Sequence, residues 1–331
     1  MAVLEMVFVT GASGQLGRKL VRELLNRGYS VDAQFRNQEK ASRWCPDKAR
    51  AMVGDLFNPD WLAKAMQNCD SVIHCAAMVS LRPAPYEPMH KVNVGGTKAV
   101  VDACLKAGVK RLIHVSSTAA VGGSITGEVL DETAPFNLAG YGIPYFETKH
   151  EAELTALAAN GNSFEVIVVN PSIIISPPDR EVTADDLSKI PRRLPAYFEF
   201  GINVVEARDV IDGIIRALEK GRPGERYILA GENLDHNKAI ELARKYLGMR
   251  KPMAKLPIWS LYFLGAIAEI MYAFKKKKPR LNRAIARLAK MRFYWSSARA
   301  QNELGWRATP LENTIERILT GITYVKSQNS P

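Results

Sequence analysis

The chain has 331 residues, 47% hydrophobic and 24% charged, with four cysteines; this fits one large α/β domain or two smaller ones and excludes disordered, collagen-like and polytopic membrane classes. The formal net charge of +11 would point to nucleic acid if it were spread along the chain. It is not: residues 250–299 hold thirteen Lys or Arg against one acid, Glu269, and the remainder is nearly balanced, so the excess is one local patch.

In chain order, the apolar run Met6-Val7-Phe8-Val9 reaches glycine at once, without the basic region, long apolar stretch or cleavage site of a signal peptide, and reads as a buried strand. Val- and Ile-rich runs at 30–35, 71–76, 111–116 and 165–170 predict further strands. Between them, apolar residues at three- and four-residue spacing predict helices at 16–27, 61–68, 94–107 and 145–159. Repeated β-α alternation specifies a parallel doubly wound α/β sheet, a Rossmann arrangement, over residues 1–170. After Pro171 the pattern loosens. Pro177-Pro178, Pro191 and Pro195 interrupt a stretch expected to cover a cleft, and 171–331 reads mostly as a smaller substrate-binding lobe. Within it, a helix at 207–220 and a strand at 226–230 return to the main domain. Cys45, Cys69, Cys75 and Cys104 lack paired C-x-x-C spacing and are too few for a disulfide framework, so reduced thiols in the cytoplasm are expected. The five histidines show no metal-ligand spacing, and no metal is expected.

Thr10-Gly11-Ala12-Ser13-Gly14-Gln15-Leu16-Gly17 sets glycines three apart between a strand and a helix. Glycine permits the tight turn, and free N–H groups at the helix N-terminus attract a pyrophosphate. Downstream, Tyr145-Phe146-Glu147-Thr148-Lys149 places a phenol and an ammonium on one helix face. Such a pair can exchange a proton with a carbonyl or alcohol oxygen.

These residues resemble the extended short-chain dehydrogenase/reductase family, whose turn has G-x-x-G-x-x-G spacing and whose catalytic helix carries Y-x-x-x-K. Gly54-Asp55-Leu56, His74-Cys75-Ala76-Ala77 and Asn93-Val94-Gly95-Gly96-Thr97 resemble further segments of that family. The resemblance implies cofactor contacts from Thr10, Gly11, Ser13, Gly14, Gln15, Leu16, Gly17, Asp55, Leu56, Cys75, Ala76, Ala77, Tyr145, Lys149, Pro171, Ser172 and Ile174. Val109 to Val121 aligns with the family's V-K-R-x-x-x-x-S-S-x-x-x-V segment. That makes Ser117 the carbonyl-binding hydroxyl, with Thr118 as the alternative and Ser116 as a strand cap. Tyr145 is then the proton donor or acceptor, and Lys149 lowers its pKa and binds the ribose. Met78, Ser80, Thr118 and Tyr197 are implied at the substrate.

Where NAD enzymes of the family place an acid for the ribose hydroxyls, this chain has Phe35 followed by Arg36. A guanidinium there favours the 2′-phosphate of NADP(H) over NAD, and the competing reading is a solvated surface arginine. No Asp-Glu pair follows Ser117-Thr118, which disfavours dehydration. Gly28-Tyr29-Ser30-Val31 with Arg36 resembles the dihydroflavonol 4-reductase branch, and residues 194–233 resemble bacterial proteins grouped as hopanoid-associated sugar epimerases. Gly122, however, stands where dihydroflavonol reductases carry a substrate-contacting asparagine. An NADPH-dependent reductase of a hydrophobic ketone or aldehyde is the expected activity. Alternatives are a sugar-nucleotide epimerase using NAD, a 3β-hydroxysteroid dehydrogenase-type oxidation, and a non-catalytic NADPH-binding sensor. Residues 256–274, largely apolar and followed by Lys275 to Lys278, read either as a peripheral membrane contact within 256–299 or as a buried helix of the substrate lobe. No recognition motif for nucleic acid accompanies the lysine run. The resemblance also implies a homodimer through the helices at 94–107 and 145–159.

Overall fold

Short runs of β-branched and apolar residues pair edge to edge where both faces are covered, the condition under which parallel strands are stable; of the seven, only the edge strand at Arg50–Val53 is largely exposed. The computed structural model describes residues 5–81, 85–177, 196–252, 254–263 and 283–328. Strands β1 (Met6–Thr10), β2 (Ser30–Phe35), β3 (Arg50–Val53), β4 (Ser71–His74), β5 (Arg111–Val115) and β6 (Glu165–Pro171) alternate with helices α1 (Gln15–Asn26), α2 (Gln38–Trp44), α3 (Pro59–Ala65), α4 (Tyr86–His90), α5 (Gly96–Ala107) and α6 (Pro144–Leu157). They assemble in the order β3-β2-β1-β4-β5-β6, extended at the β6 edge by β10 (Arg226–Leu229), and every pairing in this sheet is parallel. The doubly wound α/β sheet expected from the sequence is therefore present. Its strand order reverses between β1 and β4, which opens a crevice at their C-terminal ends.

One core face joins α1 and α7 (Ala207–Lys220) to the sheet through Val7, Val9, Leu20, Leu24, Ile214 and Trp306. The opposite face packs Phe8, Leu62, Val100, Leu112 and Val166 against α3 and α5. Alternation along β1 divides Val7 and Val9 from Phe8 between these layers.

Beyond β6 lies a second, three-stranded sheet in the order β11-β9-β7, made by β7 (Ile173–Ile175), β9 (Gly201–Glu206) and β11 (Glu232–Asp235). The short β8 (Ala196–Tyr197) pairs with β12 (Ala254–Lys255). After β11 come α8 (His236–Leu247), a helical segment α9 at 258–263, α10 (Arg283–Leu288), α11 (Ala298–Leu304) and α12 (Leu311–Gln328). The proline-rich stretch expected to cover a cleft falls largely on 178–195. Much of the apolar and basic run falls on 264–282. Both lie outside the described residues. Among the described residues, no helix is long and apolar enough to cross a membrane.

Candidate active site

The glycine turn leaves β1 and enters α1 by close backbone approach. A Cβ on Gly17 would lie 2.3 Å from the Gly11 carbonyl oxygen, and one on Gly11, whose φ is +69°, would lie 2.7 Å from the Ala76 nitrogen. The turn is thus pressed against both α1 and the segment after β4. Thr10 reinforces that junction: its hydroxyl is 2.7 Å from His74 Nδ1 and accepts from the Ala76 amide at 3.3 Å. Helix α1 begins at Gly14 with no side-chain cap and no acid in its first turn. No acid of its own first turn competes for its N–H groups and dipole. Ser13 is half-buried, and Gly14 and Gln15 are exposed around this opening, while Leu16 packs inward against the core.

At the end of β2, Phe35 is buried in the core and Arg36 is exposed. The position carrying an acid in NAD enzymes is here occupied by a ring that the core needs, and the next side chain faces solvent as a cation. Gln34 spans the neighbouring strand ends, accepting from the Gly11 amide at 3.4 Å and donating to the Gly54 carbonyl at 2.9 Å. Asp55 is exposed and accepts from the Phe57 amide at 3.1 Å, and Leu56 is buried beside it.

The catalytic candidates converge at the C-terminal end of β5. Ser117 lies close enough to Tyr145 for its hydroxyl to act on the phenol, and Ser117 Oγ accepts from the Ala119 amide at 3.2 Å. Thr118 is buried, which leaves Ser117 as the hydroxyl facing Tyr145. Lys149 is buried one helical turn further along α6 and donates to the Val115 carbonyl at 2.9 Å. Burial pushes its ammonium down to about 8 from the ordinary 10.5, although Glu153 and Cys75 act in the opposite sense.

The expected lowering of the Tyr145 pKa is not what the protein alone produces. Burial raises the phenol above 10, opposed by the Ser117 hydroxyl. The protein by itself holds Tyr145 protonated at neutral pH, the form in which a phenol donates a proton.

The lysine has a consequence for stability that can be measured. Its folded pKa lies below its unfolded one, so between about 8 and 10.5 the unfolded chain binds the extra proton and the Lys149 contribution rises with pH. Relative to Lys149→Met, the wild type should gain stability from pH 7 to pH 10, read as a narrowing difference between the two melting curves. A difference independent of pH would refute the buried charge.

Two groups behind this site were not among the sequence candidates. Glu153 is buried and accepts from Ser116 Oγ and Asn170 Nδ2, both at 2.6 Å, and pairs with Arg226 Nη1 at 3.0 Å. Asn170 also donates to the Ser117 carbonyl at 3.0 Å. Ser116, expected to cap the strand, is instead a hydrogen-bond donor to Glu153. The network ties β5, α6, β6 and β10 together directly beneath Ser117. Its signals were present: Glu153 continues the four-residue spacing from Tyr145 and Lys149, and Asn170 is the polar residue among Val166-Ile167-Val168-Val169.

A third missed residue is Asn93, buried in a π-helical turn (Lys91–Gly95). It accepts from the Met78 amide at 2.7 Å and donates to the Met78 carbonyl at 3.1 Å and Thr148 Oγ1 at 3.0 Å. The loop after β4 is thereby fixed to the catalytic helix.

Met78, Val79 and Leu81 in the segment after β4, and Ile173 and Ile174 in β7 just after β6, are exposed large hydrophobics. Tyr145 packs with Phe146, Leu138, Ile143 and Met291. Cys75 and Ala76 are half-buried and Ala77 exposed along the first loop, which also carries half-buried Ser80. Pro171 and Ser172 are buried at the end of β6, where Ser172 Oγ has no hydrogen-bond partner. Tyr197 stacks on His236 with ring centroids 5.5 Å apart. Gly122 has φ +143°, and a Cβ there would lie 2.8 Å from Asn137 Oδ1, so an asparagine at 122 would collide with Asn137.

A nicotinamide dinucleotide fits these residues: an uncapped helix N-terminus behind a glycine turn suits its pyrophosphate, and the buried, unpartnered Ser172 hydroxyl at the end of β6 suits its polar nicotinamide end.

Comparison with known proteins gives the same frame. Residues 7–230 match the model of the NAD dependent epimerase/dehydratase family. The chain is 30% identical over 337 residues to a protein of Synechocystis sp. carrying a dihydroflavonol 4-reductase name, covering 99% of this chain and 98% of that one. It is 29% identical over 313 residues to 4-hydroxy-2-methyl-3-oxo-4-farnesyl-3,4-dihydroquinoline-1-oxide ketoreductase of Stigmatella aurantiaca, covering 90% and 91% of the two chains. The crystal structure of gox2253 superposes with a TM-score of 0.78 at 32% identity, covering 96% of this chain and 97% of that one.

Proposed function

The chain belongs to the NAD dependent epimerase/dehydratase family, and from that premise we propose that it is an NADPH-dependent reductase of a hydrophobic ketone or aldehyde. It is an NAD(P)-dependent oxidoreductase of the extended short-chain type; the direction, the preference for NADPH and the substrate class are the proposal. The observation that carries it is Ser117 beside Tyr145, one helical turn from buried Lys149, with exposed aliphatic side chains in the segments after β4 and β6.

The cofactor, when bound, supplies a hydride. The turn from Thr10 to Gly17 holds its pyrophosphate, Arg36 its 2′-phosphate, Asp55 and Leu56 its adenine side, Cys75 to Ala77 its underside, and Lys149, Pro171, Ser172 and Ile174 its ribose and nicotinamide end. Ser117 donates a hydrogen bond to the substrate carbonyl oxygen, and Tyr145 Oη donates the proton that turns this oxygen into a hydroxyl. The raised phenol pKa keeps that proton on Tyr145 at neutral pH. Met78, Ser80, Thr118 and Tyr197 shape the substrate side, and an apolar body excludes water around the transferred proton. A ketoreductase acting on a farnesyl-bearing quinoline among the relatives supports an isoprenoid, steroidal or aryl substrate. Exposed Leu105 on α5 and Leu154 on α6 support a homodimer through those helices.

The cofactor choice is tested by titration. Losing the charge-assisted contacts of Arg36 in Arg36→Ala should weaken NADPH binding by about 10- to 100-fold and leave NADH binding within about twofold. Equal losses for both dinucleotides, or none for NADPH, would refute the assignment. Turnover of NADPH with farnesyl, steroidal and aryl ketones tests the substrate class, and oxidation of NADPH only with small polar aldehydes would overturn it.

A further inference from the structure

We propose that the helix at 258–263 seats the protein on a bilayer surface containing anionic phospholipid. Trp259 and Phe263 stand four residues apart on one face of this helix, 70% and 65% exposed, while Leu261 on another face is 7% exposed. The helix is therefore anchored by one side and presents two aromatic rings outward on the other. Water is a poor solvent for that pair, and the headgroup zone of a bilayer accommodates both rings.

The surroundings choose the partner. Lys290 lies 5.5 Å above the Tyr262 ring, and Arg250, Lys251, Arg287 and Lys290 are exposed nearby in sequence. Lys255, in the strand preceding the helix, pairs with Glu199. Among the described residues of 250–299 there is no acid. Outward aromatic rings with the Lys290 ammonium over the neighbouring Tyr262 ring match an anionic surface.

The same segment is tied to the substrate side. Ala254–Lys255 pair with Ala196–Tyr197, and the Leu256 amide donates to the Tyr197 carbonyl at 2.9 Å. A bilayer contact at Trp259 would therefore be linked through three residues of chain to β12, which pairs with the strand carrying Tyr197, a short path for an apolar substrate held in lipid.

The test uses the full chain and flotation with vesicles of phosphatidylcholine alone or mixed with phosphatidylglycerol, without substrate, so that its outcome is separate from the reductase reading. The wild type should float with the anionic vesicles, stay behind with the neutral ones, and be released by high salt. The exposed double variant Trp259→Ser, Phe263→Ser should keep the wild-type melting temperature and NADPH affinity and lose at least about tenfold in partition. Failure of the wild type to float, equal flotation of the double variant, or salt-sensitive retention on DNA without vesicle binding would each overturn the proposal.

Discussion

Replacing Tyr145 by phenylalanine should lower kcat for ketone reduction by about 10²- to 10⁴-fold, the range that a positioned general acid supplies, while NADPH binding and the melting temperature stay near those of the wild type. The side chain packs with Phe146, Leu138, Ile143 and Met291, which the phenylalanine ring satisfies equally. What disappears is the hydroxyl that meets Ser117. Ser117 keeps its bond from the Ala119 amide, so no buried group is left bare. The loss should fall on kcat rather than KM, because the proton is transferred in the transition state and not in the ground-state complex. A variant retaining more than about a tenth of wild-type kcat would place the proton donor elsewhere.

The second large effect is on stability. Glu153→Ala should destabilise the fold by about 3–5 kcal/mol, the usual cost of removing one partner from a buried ion pair, and lower the melting temperature by on the order of 10 °C. Arg226 would retain the Glu132 carbonyl at 2.8 Å but lose its carboxylate. Ser116 and Asn170 would each lose an acceptor at 2.6 Å. Since Asn170 also holds the Ser117 carbonyl, the conservative Glu153→Gln should show a reduced kcat at temperatures where it remains folded, with NADPH affinity unchanged. Chemical denaturation and a steady-state assay below the transition read the two effects separately. A Glu153→Ala change within about 1 kcal/mol of wild type would mean that the network is satisfied by water.

The site was legible in sequence to the extent that local spacing encodes it. Glycines three apart after a strand, and Tyr145 and Lys149 four apart on a helix, state their geometry within a few residues. Ser117 needed the strand before it, and its partnership with Tyr145 spans 28 positions that the family pattern supplied. Glu153 shared the helical spacing, yet nothing local shows that Arg226, on a strand 73 residues away, would turn a surface-type glutamate into a buried one. The sense of the Tyr145 shift was also beyond the motif. It depends on how deeply the fold buries the phenol, which the motif does not state.

The fold divides similarly. Strands β1, β2, β4, β5 and β6 and helices α1, α3, α5 and α6 carry their own periodicity, and β2 and α7 coincide with the runs expected. The edge strand β3 was not visible, because Arg50–Val53 is largely exposed and shows no apolar alternation. The small sheet of β7, β9 and β11 was hidden for a different reason: Ile173–Ile175 is three residues long and finds its parallel partner at 204–206, a pairing set by tertiary contact and not by either segment alone.

The central claim, net reduction of an apolar carbonyl through Tyr145, is tested most directly by a single-turnover reaction of the enzyme with NADPH deuterated at the transferable position and a farnesyl or steroidal ketone. The account predicts one deuterium on the new carbinol carbon, one NADP⁺ formed per alcohol, and neither product from Tyr145→Phe on the same time scale. Substrate turned over with no net oxidation of NADPH, or label transfer undiminished in Tyr145→Phe, would contradict it.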